Sequence, residues 1–426
     1  MLNEVVPGTD QPSMHPPSSQ TYVIVGASLA GAKAAETLRA EGFPGRVILI
    51  GADSERPYER PPLSKGYLTG SDERETIFVH PSGWYDEHDV ELRLATRVTA
   101  LDLTGREITI EGGGRVAYTK LLLATGSSPR RLAVPGADLT GVHYLRSVTD
   151  SERLRDAIVG GERRVVVVGG GWIGLETAAA ARGYGNEVTV VEPQPTPLHA
   201  VLGAELGGVF ARLHRDHGVD LRVGTGVREL RGAAGRLTAV VTDSGDELPA
   251  DIAIVGVGAR PNTELADAAG LSVDNGVIVD AALRTANADV YAAGDVASAF
   301  NPLLGRRLRV EHWANARESG PAAARSMLGQ PVSHDPVPYF FSDQYDLGME
   351  YAGQAGPGEY DRIVHRGDLD AREFVAFWLA GDRVVAGMNV NVWDVNESIQ
   401  RLVRSGARVD DRALADPNVP LDSLAS

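Results

Sequence analysis

The chain has 426 residues, 43% of them hydrophobic and 23% charged, which excludes collagenous, fibrous and wholly disordered classes and allows roughly two to four domains. Asp and Glu outnumber Lys and Arg by 57 to 41, and a net charge of −16 repels phosphate backbones and anionic lipid, so neither nucleic acid nor a membrane is an expected partner. Cysteine is absent, which removes disulfides, thiolate metal sites and thiol redox chemistry; no metal site is expected. Lysine is rare: 38 of the 41 basic residues are arginine, and the lysines are Lys33, Lys65 and Lys120.

Residues 1–20 are proline-rich and lack a basic start followed by an apolar core, so they are expected to form a disordered leader on a cytoplasmic protein. Two segments then share one pattern, a β-branched strand, a glycine turn, an alanine-rich helix and a second apolar strand. One starts at Thr21 (TYVIVGASLAGAKAAETLRAEGFPGRVILIGAD) and the other at Arg163 (RRVVVVGGGWIGLETAAAARGYGNEVTVVEPQ). Each has the length of a βαβ unit. Each is followed 82–94 residues after its first glycine by another apolar strand running into a glycine turn, KLLLATGSSPR and DIAIVGVGARPN, so the chain reads as internally duplicated.

The strand in ADVYAAGDVA (288–297) has no evident counterpart in the second unit and is assigned to the first. The expected fold is therefore α/β, two Rossmann-like nucleotide-binding domains with the second inserted into the first, plus a C-terminal α+β domain. The expected boundaries are 21–127 with 248–330 for the first, 128–247 for the second and 331–426 for the third.

In the second unit Gly169, Gly171 and Gly174 form a full G-x-G-x-x-G between strand and helix. The first makes the turn, the second lets backbone approach a pyrophosphate, and the third lets helix pack on strand; Ile173 lies within this loop. Glu192 ends the following strand, where a carboxylate accepts ribose hydroxyls. Residues 193–198 supply no arginine for a 2′-phosphate, so NADH is favoured over NADPH. The first unit departs from the pattern. Gly26, Ser28 and Gly31 fill the glycine positions, and the acid position is Gly51, with Asp53 the nearest carboxylate. Two such sites on one chain point to FAD and a nicotinamide face to face. Asp295, after Gly294 at a strand end, can accept a ribityl hydroxyl or form an Asx turn. Gly126 and Gly258 sit in the turns that end the two later strands.

The motifs GASLAG, ERPYERPPLSK, ATGSSPR, GGGWIGLE, GVGARPN, YAAGD, VEHWANA and FFSDQYDLG extend over about residues 20–420. On these the chain resembles the FAD-dependent ferredoxin reductases that serve bacterial oxygenases and cytochromes P450, of the putidaredoxin reductase type, and more distantly apoptosis-inducing factor. The resemblance implies an NADH-dependent flavoenzyme whose partner is a small [2Fe-2S]-type ferredoxin feeding a P450 or ring-hydroxylating oxygenase. Rubredoxin, quinone or oxygen as acceptor, and a redox sensor like apoptosis-inducing factor, are the alternatives.

The resemblance puts Lys65 beside the flavin ring, where its charge would stabilise reduced flavin, with Glu176 facing the same space and pairing with it. It adds Ala30, Val98, Arg146 and Trp313 as FAD contacts. With no thiol available, electrons must leave the flavin for an acceptor bound from outside. Arg306, Arg307 and Arg309, or Arg401 and Arg404, are candidates for a basic docking patch, and Phe341, Tyr345 and Trp393 for aromatics near the flavin edge.

Overall fold

The computed structural model describes residues 20–425, so the expected leader lies outside the described residues apart from Gln20. Strand Thr21–Val25 turns at Gly26 into helix Leu29–Ala40 and returns as Arg46–Ile50, parallel and in register from Thr21 opposite Arg46 to Val25 opposite Ile50. Nearly every side chain in both strands is buried, as expected of a parallel sheet covered on both faces. The sheet runs in the order Val290–Ala292, Lys120–Leu123, Thr21–Val25, Arg46–Ile50 and Val90–Arg93, with all pairings parallel.

The second sheet repeats this plan: Asp220–Val223, Glu187–Glu192, Arg164–Val168, Ile252–Val255 and Val142–His143, again all parallel. The duplication reaches further than the βαβ cores. Before Lys120–Leu123 in one unit and Ile252–Val255 in the other, the chain forms a three-stranded antiparallel flap, Val98–Asp102, Glu107–Ile110 and Arg115–Ala117 in the first, Val227–Ala233, Arg236–Thr242 and Glu247–Pro249 in the second.

Two sequence expectations change. Strand Ile252–Val255 pairs with Arg164–Val168, so the return to the first domain falls after it and not at 248. A short, wholly buried apolar strand suits either parallel sheet, and only its register partner decides. The crossings between the domains are held together by an antiparallel ladder, Ser127–Pro129 against Ala259–Pro261. The strand in ADVYAAGDVA does have a counterpart: Val142–His143 sits beside Ile252–Val255 as Val290–Ala292 sits beside Lys120–Leu123. Two residues are too few to carry a periodic signal.

The C-terminal domain is one antiparallel sheet, ordered Tyr339–Gln344, Leu347–Gly353, Arg383–Val390, Glu373–Ala380 and Arg362–Asp368. Alternation gives it two buried faces. Val375, Phe377 and Leu379 pack on Ile399, Leu402 and Val403 of helix Asn396–Ser405. Phe374, Ala376 and Trp378 pack on Leu206, Phe210 and Leu213 of helix His199–Asp216, so the sheet is docked on the second nucleotide unit. Among the described residues no helix is long and apolar enough to cross a membrane.

Helix Trp313–Met327 lies against helix Leu29–Ala40 so closely that a Cβ on Gly320 would fall on the carbonyl of Ala30. Gly320→Val should therefore destabilise the fold by about 1–3 kcal/mol, read as a lower urea midpoint. An unchanged midpoint would mean that this helix contact is not rigid.

Candidate active site

Both glycine turns lie at the carboxyl ends of parallel strands, where open α/β sheets bind their ligands. A Cβ on Gly26 would strike the Ala124 carbonyl, and one on Gly31 the Gly26 carbonyl. In the second unit a Cβ on Gly174 would strike the Gly169 carbonyl, and one on Gly169 would lie 2.5 Å from the Gly256 carbonyl. Gly26 and Gly169 also hold φ of 123° and 104°, open to glycine but not to other residues. The middle position differs. A Cβ on Gly171 would meet nothing nearer than 3.9 Å, so the space above this loop is clear of protein. Ser28 takes that place in the first unit, with extended backbone (φ −130°), and its hydroxyl does not cap its own helix. Ala30 faces Gly294, whose φ is 72°, and Ile173 is exposed beside the second loop.

The acids at the two sites are placed differently. Glu192 accepts from the Gly170 N–H (2.7 Å) and the Gln194 N–H (2.8 Å), which ties the strand end to the glycine loop. Asp53 accepts from the Tyr58 hydroxyl (2.8 Å) and the Glu55 N–H (3.2 Å), so it braces Tyr58. Val98 turns its side chain into the core of the first domain, which leaves only its backbone for a ligand. Gly258 (φ 93°) lies by Arg130, and Gly126 (φ 67°) lies by Arg146.

Arg146 and Asp295, 149 positions apart, form an ion pair (Nη2 to Oδ2, 2.8 Å), and the Ser127 hydroxyl donates to the same oxygen at 2.8 Å. Burial alone would raise the Asp295 carboxyl; Arg146, Ser127 and Arg60 outweigh it and hold the carboxyl below its ordinary value. Arg60 donates to the Arg146 carbonyl (2.5 Å), and its guanidinium is lowered by burial and then by Arg146. One guanidinium thus pairs with the carboxylate at a sheet edge and a second lies within its field. The Arg146 Nε and the His312 Nδ1 are buried without partners. Surplus positive charge, orphaned polar atoms and a glycine cradle that a Cβ would fill fit a ligand with phosphates and a polar ring, as FAD has. Arg60 and His312 lie in ERPYERPPLSK and VEHWANA, but nothing in their local pattern singles them out.

Lys65, at the start of the short helix Gly66–Thr69, reaches Glu176 on the second nucleotide helix, Nζ to Oε1 at 2.8 Å. Only 3% of the Glu176 side chain and 16% of Lys65 is exposed. The Ser64 hydroxyl donates to Oε2 and the Ser342 hydroxyl to Oε1, at 2.5 and 2.7 Å. Lys65 lies 5.4 Å from the Phe341 ring, which meets Trp313 edge-on at 6.0 Å. The Trp313 indole N–H donates to Glu59 at 3.2 Å. The sequence brings Lys65 and Glu176 into view; the two serines carry no signal of their own.

The pyridine nucleotide-disulphide oxidoreductase family model matches residues 20–320, and the reductase C-terminal model matches 339–425. The chain belongs to the pyridine nucleotide-disulphide oxidoreductase family. It is 43% identical to the ferredoxin–NAD(+) reductase component of the anthranilate 1,2-dioxygenase system of Burkholderia cepacia, over 96% of this chain and 100% of that one. It is 38% identical to a rubredoxin–NAD(+) reductase of Pseudomonas putida, over 87% of this chain and 95% of that one. A crystal structure of a covalent putidaredoxin reductase–putidaredoxin complex superposes with a TM-score of 0.92 at 35% identity, covering 95% of this chain and 98% of that chain.

Membership in this oxidoreductase family carries binding of FAD and NAD(P)H. The disulphide half of the family's chemistry is closed to a member without cysteine. The arginines of the two candidate docking patches all have partners. Arg306 pairs with Glu359, Arg309 with Glu311, Arg401 with Asp422 and Arg404 with Asp335, while Arg307 donates to the carbonyls of Val279 and Ser298. Of the three aromatics, Phe341 reaches the Lys65 region. Tyr345 packs between His214 and His217, and Trp393 is exposed against Gly348.

Burial pushes His214, His312 and His334 down to about 4, from an ordinary value of 6.5. Between those limits the unfolded chain binds protons that the folded chain does not, so stability should fall as the pH drops from 6.5 towards about 4. His334→Gln should make that fall shallower by about one proton, measured as urea midpoint against pH. An equal slope would show that His334 is not held neutral.

Proposed function

We propose that this protein is a cytoplasmic, FAD-dependent NADH:ferredoxin oxidoreductase, passing electrons to a small [2Fe-2S]-type ferredoxin that feeds a P450 or ring-hydroxylating oxygenase. The observation that carries this is the buried Lys65–Glu176 pair, closed over by Ser342 of the C-terminal sheet in a chain with no thiol to receive electrons. Bound FAD would supply the redox chemistry, accepting two electrons as hydride from a nicotinamide and releasing them one at a time.

The chain supplies position and charge. The Gly26–Gly31 loop and the Arg60–Arg146 guanidiniums hold the flavin nucleotide, and Asp295, its carboxylate kept ionised by Arg146, orients the ribityl chain. Lys65 keeps a fixed positive charge beside the ring, and Glu176 keeps Lys65 in place. The Gly169–Gly174 loop takes the second pyrophosphate. Glu192, fastened to that loop and without a neighbouring arginine in 193–198, accepts ribose hydroxyls and repels a 2′-phosphate, which favours NADH. Phe341, 5.4 Å from Lys65, and Trp313, which meets Phe341 edge-on, would exclude water from a ring bound beside the lysine.

The likeness to a rubredoxin reductase supports a second acceptor class, so the test compares acceptors. The purified holoprotein should be yellow, bleach anaerobically with NADH faster than with NADPH, and reduce cytochrome c through an added [2Fe-2S] ferredoxin faster than through rubredoxin. Lys65→Met should slow bleaching by NADH at least about tenfold or move the flavin midpoint potential. A Lys65→Met protein with unchanged rate and potential would remove the lysine from the mechanism. Negligible turnover with either iron protein would favour a sensor.

A further inference from the structure

Strand Tyr339–Gln344 turns two polar side chains inward, Ser342 and Gln344, at the alternate positions where a strand docked on helices would ordinarily carry apolar residues. Both are buried, to 0% and 1% exposure, and they continue a line that begins at Glu176. Ser342 Oγ lies 2.7 Å from Glu176 Oε1, Gln344 Nε2 lies 3.1 Å from Ser342 Oγ, and His214 Nε2 lies 2.9 Å from Gln344 Oε1. The line joins the second nucleotide helix, the C-terminal sheet and helix His199–Asp216, far apart in sequence and all inside the protein.

Hydrogen-bond inventory fixes its direction. A neutral imidazole has one N–H and one acceptor nitrogen. His214 Nδ1 is buried without a partner, and an orphaned N–H is the rarer defect, so the N–H belongs on Nε2 and donates to the Gln344 carbonyl oxygen. The amide of Gln344 must then present its NH2 to Ser342. A serine whose oxygen already accepts from that amide has its one proton left for Glu176. Reversing the line would turn the amide over, turn the serine hydroxyl towards it, and require Glu176 to supply a proton.

We propose that Ser342, Gln344 and His214 form a one-way hydrogen-bond chain that holds Glu176 as the carboxylate facing Lys65, and so act as positioning residues for electron transfer at the flavin. This rests on Lys65 lying beside the flavin ring, as argued above. The charged groups facing Glu176 are Lys65, from the loop that precedes the helix Gly66–Thr69, and Asp343, from the C-terminal strand. Asp343 is raised by burial and, against the pull of Lys65, by Glu176 itself, so the serine donor works against a nearby like charge. His214 stays neutral because burial holds it at about 4, and it can therefore serve as a fixed donor across the working pH range.

The test uses holoprotein and reads the flavin midpoint potential against pH, beside the rate of flavin reduction by NADH. In Ser342→Ala the carboxylate loses a charge-assisted donor. The reduction rate should then fall about tenfold, with a shift in the midpoint potential. Ser342→Thr, which keeps the hydroxyl, should restore both. His214→Phe leaves every direct partner of Glu176 in place and should move both in the same direction, by less; it also serves if Ser342→Ala does not fold.

A Ser342→Ala protein that loses only thermal stability, or a His214→Phe protein that follows the unchanged one at every pH, overturns the chain. Lys65→Met separates this from the premise. If it moves the potential while the serine and histidine variants do not, the chain alone fails. If it too leaves the potential unmoved, the pair is not at the flavin and both ideas fall.

Discussion

A charge taken out of water needs partners, and the buried carboxylate of Glu176 meets that demand with donors drawn from distant parts of the chain. Its partners come from every domain: Lys65 and Ser64 from the first nucleotide domain, Ser342 from the C-terminal sheet, while Glu176 itself stands on the helix of the second nucleotide loop. Removing the first or the C-terminal domain would leave a buried charge short of a donor. The same arrangement ties the helix of the second glycine loop to the segment that carries Lys65, so the spacing of the two nucleotide units is set by a polar contact as well as by apolar packing.

The two nucleotide units descend from one plan, yet their sites have drifted apart for steric reasons. Where the second unit ends its strand with Glu192, the first has Gly51, and a Cβ there would lie 2.5 Å from the Cβ of Ala27 in the opposing loop. No carboxylate can occupy that position while the loop keeps its place. The nearest acid, Asp53, lies beyond the contact and is engaged with Tyr58. Past the edge strand Val290–Ala292, Asp295 pairs instead with Arg146, whose carbonyl accepts from Arg60.

Strong overall acidity need not conflict with an acidic protein partner, but it limits where that partner can dock. The arginines of residues 306–309 and 401–404 are engaged with carboxylates or carbonyls of their own surface, and each ion pair among them weakens the field an approaching molecule would meet.

The amino-acid sequence by itself determined the doubled βαβ plan, the role of each loop glycine, the absence of thiol chemistry and the prominence of Lys65 and Glu176, because these depend on local backbone geometry, on periodicity or on plain composition. Tertiary structure alone decided which sheet takes Ile252–Val255, that Val142–His143 is a strand, that Arg60 stands beside Arg146, and that Ser342, Gln344 and His214 line up behind Glu176. Each of these depends on partners more than 80 residues away or on a register that one residue of slip would reverse. A serine or a glutamine on a strand looks the same whether it faces water or a buried carboxylate, and only the folded neighbours tell the two apart.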